Sequence, residues 1–100
     1  MIVRYSRHYQ AFKHSTVLDD ENNTVEVLGE PFEIKAYIYP ASGQVQAQQY
    51  GNELGYVLNC LTHDDRLKEL DVISVYDDKD YSVISVKVYS GHYLLELKKR

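Results

Sequence analysis

From Pro31 to Tyr39 the chain alternates without a slip: Phe32, Ile34, Ala36 and Ile38 are apolar, and Glu33, Lys35, Tyr37 and Tyr39 lie between them. A period of two places the first set on one face of a strand and the second on the other. Leu54–Leu61, Asp71–Tyr76, Tyr81–Val88 and His92–Lys98 read as four further strands, rich in the valine, isoleucine and tyrosine that suit a pleated surface. Asp77, Asp78, Lys79 and Asp80 form one connecting turn among the last three strands, and Ser90-Gly91 forms the other, so these strands predict an antiparallel meander. Ile84, Val86 and Val88 would then face Tyr93, Leu95 and Leu97 as apposed core rows.

The N-terminal third alternates only loosely. Met1 to Leu28 predicts an extended arm or edge strand through about Lys13, a turn at Asp19, Asp20, Glu21, Asn22 and Asn23, and a short returning strand at Thr24–Leu28. His63 to Leu70 carries weak helix cues, with Asp64 able to cap and Leu67 and Leu70 three apart. The expected architecture is one all-β domain spanning the chain, a small antiparallel β-barrel or sandwich of five to six or more short strands. It includes a long loop and at most one short helix.

Composition agrees with a single fold. At 100 residues the chain buries roughly 60 to 70% of its unfolded surface, enough for one modest core. A net charge of −4 argues against tight binding to phosphate backbones, which requires a basic face. No stretch approaches a membrane span and MIVRYSRHYQ lacks a signal peptide's apolar run, so an intracellular protein is expected.

Reactive chemistry is hard to find. Cys60 lies in the apolar run LGYVLNCL and reads as a buried structural thiol. The four histidines lack metal-ligand spacing, His63-Asp64-Asp65 reads as a solvated loop, and Asp77, Asp78 and Asp80 lack the glycine and terminal glutamate of a calcium loop. No serine sits in a nucleophile elbow and no glycine motif cradles phosphate, so neither enzyme activity, a metal nor a cofactor is expected. Asn22-Asn23-Thr24 matches a glycosylation pattern by chance. Tyr37 and Tyr39, on the polar face of their strand, are candidates for a protein interface.

One segment is compositionally odd. Between Ala36 and Asn52 the chain has no charged residue, and Gln44, Gln46, Gln48 and Gln49 follow the turn residues Pro40, Ser42 and Gly43. The order "YIYPASGQVQAQQYG", "YVLNCL", "LDVISVY" and "YSVISVKVYSGHYLLEL" resembles the head-tail connector proteins of tailed bacteriophages, the head-closure or stopper family, over about Ile34 to Leu97. Its most specific pieces are the Pro-Ala-Ser-Gly turn followed by Tyr50-Gly51, and the closing pattern of Asp71, Tyr81, Val86, Tyr89 and His92.

The resemblance implies a barrel that assembles as a dodecameric ring beneath the portal of a DNA-filled capsid, extends its channel and receives the tail. Portal or adaptor and tail proteins would be its partners, and its location the host cytoplasm during assembly and then the virion. Pro40–Asn52 would be the projecting gate loop, with Pro40, Ser42, Gly43, Gln44, Gln46, Gln48, Gln49 and Tyr50 at the channel. Neutral amides there would neither hold phosphates nor repel them. The base of that loop would pack through Val45, Ala47 and Tyr50 against the barrel or the next subunit. Arg4, Tyr5, Arg7 and Tyr9 would reach a neighbouring subunit, with Asp19, Asp20 and Glu21 as one counterpart. Alternatives are a small barrel module binding nucleic acid or a peptide, and a neighbouring adaptor or tail-terminator ring protein.

Overall fold

The computed structural model describes residues Ser6 to Arg100. The candidate interface residues Arg4 and Tyr5 lie outside these described residues. Among the described residues eight strands form two sheets: β1 (Arg7–Phe12), β2 (His14–Leu18), β3 (Thr24–Leu28), β4 (Phe32–Pro40), β5 (Val57–Thr62), β6 (Val72–Ser74), β7 (Tyr81–Tyr89) and β8 (His92–Lys99). Six close into an antiparallel barrel in the order β1-β4-β5-β8-β7-β6, while β2 and β3 pair only with each other. Helix α1 (Gln44–Tyr50) and a 3-10 helix over Gly51–Tyr56 lie between β4 and β5.

The alternation in β4 holds: Ile34 and Ala36 are buried, and Phe32 and Ile38 pack against the same core. Ala11, Leu58, Cys60, Ile73, Val83, Leu95 and Leu97 complete the barrel interior. Burial pushes the Cys60 thiol up to about 12, so little reactive thiolate forms in the folded chain. A thiol reagent at mildly alkaline pH is therefore expected to label Cys60 only after denaturant unfolds the barrel, and prompt labelling of the native protein would contradict this.

Strand β7 corrects the expected core rows. Val83 pairs with Leu97 and Val86 with Leu95, and the register shifts between Val83 and Ser85. The extra residue at this bulge reverses which parity of residues faces inward. Tyr81 and Val83 are therefore buried before it, while Val86 and Tyr93 pack at the core's edge and Ile84 is only half-buried. Val88 does share a pair with Tyr93, but it lies where the hairpin leaves the core and is exposed.

The N-terminal segment also differs from an extended arm. Arg7–Phe12 is a full barrel strand, held by β4 on one side and by β6 from Gln10 to Phe12 on the other. Only Lys13 separates it from β2. The β2–β3 hairpin turns at its predicted acidic tip, where Asp19 Oδ1 accepts the backbone N–H groups of Glu21 at 2.9 Å and Asn23 at 2.8 Å. Asn22 takes a positive φ of 62°, a conformation asparagine tolerates better than most side chains.

Asp71 fixes the root of this hairpin. Its carboxylate is 3% exposed and accepts Lys13 Nζ at 2.6 Å, the His14 N–H at 2.9 Å and the Lys68 N–H at 2.9 Å. Gly29 N–H donates to the Lys13 carbonyl at 2.9 Å, and Glu26 bridges His14 and Arg100. The segment His63 to Leu70 forms no helix. Asp64 instead accepts the Arg66 N–H at 2.9 Å and pairs with its guanidinium at 2.6 Å. This local side-chain pairing competes with helical hydrogen bonding.

Candidate functional site

Two features stand out from the barrel: the glutamine segment and the β2–β3 hairpin. The glutamine segment was expected to project as a loop, but Gln44 to Tyr50 is helical and lies against the outer barrel wall. Glutamine is a good helix former, and a glycine with positive φ at Gly51 (55°) ends the helix and starts the 3-10 turn. The neck of the excursion is closed by Ala41 N–H donating to the Val57 carbonyl at 3.1 Å.

The attachment is polar. Asn59 of β5, Glu96 of β8 and Ser85 of β7 are neighbours across three strands on the outer face. Glu96 is nevertheless 1% exposed. Gln46 Nε2 donates to Glu96 Oε2 and to Asn59 Oδ1, both at 2.8 Å. Gln46 Oε1 accepts the Ser42 N–H at 3.1 Å and Asn59 Nδ2 at 3.3 Å. That uses both donors and both acceptor positions of one amide. Ser85 Oγ donates to Glu96 Oε1 at 2.6 Å.

Burial pulls the Glu96 carboxyl upward. Hydrogen bonds from Ser85, Gln46 and Tyr50 and the nearby Lys87 charge outweigh it, so the group sits below the usual glutamate range. Tyr50 is pushed up to about 12 by burial and by its bond to Glu96. The 3-10 turn is tied to β8 by Lys98 Nζ and Glu53 Oε2 at 2.6 Å.

The predicted channel residues thus divide. Gln46 and Tyr50 hold α1 to the wall, whereas Ser42, Gly43, Gln44, Gln48 and Gln49 remain exposed and Pro40 ends β4. Of the two packings expected for the loop base, Val45 and Ala47 do not make the one against their own barrel: Val45 is 77% exposed, and Ala47 is exposed as well. The outer surface of α1 is therefore a neutral amide face.

The predicted interface residues gather elsewhere. Arg7, Tyr9 and Tyr37 line a cleft of 710 Å³ together with Ile38, Val75 and Tyr76. Tyr9 leans on the core, and burial, partly opposed by the Arg7 charge, raises its phenol above the ordinary value. Tyr39 lies beside this cleft, its ring stacked on Tyr37 at 4.9 Å. Asp19, Asp20 and Glu21 sit at the hairpin tip, away from β1.

Sequence reasoning missed the hairpin's apolar face. Cross-strand pairing puts Ser15, Val17, Val25 and Val27 on one side, with the pairs His14 and Leu28, Thr16 and Glu26, and Leu18 and Thr24 on the other. Val17, Val25 and Val27 are 51%, 41% and 40% exposed. Alternation of these valines with Thr24 and Glu26 was the available signal. Among the described residues no group of three or more His, Cys, Asp or Glu side chains could hold a metal ion, and no helix is long and apolar enough to cross a membrane. Comparison of the chain with protein-family models, curated proteins and solved structures finds no match.

Proposed function

We propose that this chain is a structural ring component of the head-tail connector kind, extending a DNA channel and offering a surface for tail attachment. The observation that carries this reading is a closed barrel from which a two-stranded hairpin projects with an unpartnered valine face. An isolated two-stranded hairpin is marginal in water, and exposed apolar surface of this kind marks contact with another protein. The resemblance in sequence supplies the setting. The neutral outer face of α1, with Gln44, Gln48 and Gln49, supports a role lining the channel, because uncharged amides let a phosphate backbone slide past.

The alternative of a nucleic-acid module draws on the tyrosine pair, which offers rings for base stacking. Those rings already stack on each other, and the chain's net charge of −4 opposes the phosphates. Electron microscopy of particles from a phage or prophage deleted for this gene tests the proposal. DNA-filled capsids that leak and fail to join tails are expected, whereas complete infectious particles would overturn it. DNA affinity of the isolated protein that falls steeply with salt would move the assignment to the module reading.

A further inference from the structure

The hairpin and the tyrosine cleft occupy opposite ends of one strand. The cleft begins at Arg7, and the hairpin begins at His14, just past the end of β1. The cleft extends along β1 as far as Gln10, so roughly 13 Å of chain separates it from His14. On the cleft side, β6 accompanies β1 only from Gln10 to Phe12. Among the described residues no strand pairs with that edge from Arg7 to Tyr9, and Val75 and Tyr76 line the cleft with it.

The two surfaces match in chemistry. The cleft sets tyrosines, Ile38 and Val75 among the polar Arg7, His8, Gln10 and Ser74, with no acidic residue in its lining. The hairpin presents Val17, Val25 and Val27 behind a tip of Asp19, Asp20 and Glu21. Among the described residues each strand of the hairpin also has one edge with no strand beside it, the condition for adding to another strand's open edge.

We propose that the β2–β3 hairpin of one copy docks in the Arg7–Tyr76 cleft of a second copy, valines against tyrosines and acidic tip toward Arg7. The contact uses two different surfaces on each molecule, so it repeats head to tail and closes as a ring when its rotation permits. It rests on the ring reading above and names the partner surface within it.

A variant carrying both Arg7→Cys and Glu21→Cys tests the contact, since the native Cys60 is buried. Oxidation at high protein concentration should give a ladder of dimers, trimers and larger species, while either single substitution gives none. Circular dichroism melts confirm that each variant is folded. Products that stop at dimers would mean that two hairpins pair with each other, and an absence of products would mean no such contact; both overturn the proposal. Sedimentation adds a second arm. Arg7→Glu or Glu21→Arg alone should weaken self-association roughly tenfold by setting like charges together, and the double reversal should restore it.

The outcomes separate from those of the deletion experiment. A missing ladder beside leaking, tailless particles would remove the hairpin contact and leave the connector reading. A ladder beside infectious deletion particles would do the reverse.

Discussion

Replacing Asp71 by alanine is expected to destabilise the protein by about 3 kcal/mol, lowering Tm on the order of 15 °C. Its carboxylate meets three donors: Lys13 Nζ, the His14 N–H and the Lys68 N–H. The ion pair supplies the smaller share, because the Lys13 side chain is 47% exposed and solvent screens it. Most of the cost comes from two backbone N–H groups left without their acceptor in a part-buried position. Asp71→Asn should be nearly as harmful, because its amide group must turn an N–H toward one of these donors. Lys13→Met, which keeps both backbone bonds to Asp71 and loses the ion pair and an exposed bond to the Arg66 carbonyl, should cost under about 1 kcal/mol. Thermal melts of the three variants check the ranking. A loss with Lys13→Met as large as with Asp71→Ala would show that the charge pair, and not the backbone anchoring, holds the hairpin root.

Glu96→Ala is expected to free α1 before it unfolds the barrel. Gln46, Tyr50 and Ser85 all lose their acceptor, and charge-assisted bonds of this kind contribute about 1.5–3 kcal/mol each before the cost of burying the carboxylate is subtracted. Barrel stability should fall by about 2 kcal/mol. Limited proteolysis between Gln44 and Tyr56 should accelerate well beyond that, because no residue of α1 is buried to hold it otherwise. Gln46→Glu should be worse than Gln46→Ala at neutral pH, since it sets a second carboxylate where an amide donor stood. Equal cleavage in native protein and Glu96→Ala would show that α1 is not held by this network.

Acid acts on the same contact. The Glu96 carboxyl is lowered in the folded chain from an ordinary value of 4.5, so its contribution is complete above that value and is lost as pH falls through the lower folded one. Asp80 is lowered likewise: burial opposes it, but the N–H groups of Val75, Tyr76 and Asp77 prevail. Destabilisation should therefore begin at the α1 attachment below pH 4.5 and reach the β6–β7 turn only below 3.8, the ordinary value from which Asp80 is lowered.

The residues differ in how much they disclose before folding. Strand β4 was legible because one face meets the core and the other meets water, so burial and sequence share a period. Strand β7 was legible as a strand but not in its facing, since a single bulged residue changes the phase and nothing in Ile84 or Ser85 announces it. Helix α1 lacks an apolar stripe; it is fixed by one glutamine and one tyrosine reaching a glutamate 50 positions from Gln46. Periodicity is blind to such a contact. Glu96 alternates with Leu95 and Leu97 and so lies on the outer face of β8, but outer did not mean wet, because the partner that covers it comes from a distant segment.

The single residue between β1 and β2 has a mechanical consequence. With Lys13 as the joint to β1, clamped by Asp71, and residues 29–31 as a short second joint to β4, the hairpin behaves as a lever arm of the barrel instead of a tethered flap. Its five-residue strands reach about 17 Å, so tilting the barrel by about 5° sweeps the tip through roughly 1.5 Å. Whatever grips the tip therefore senses the orientation of the whole body, and torque passes from one to the other with little loss.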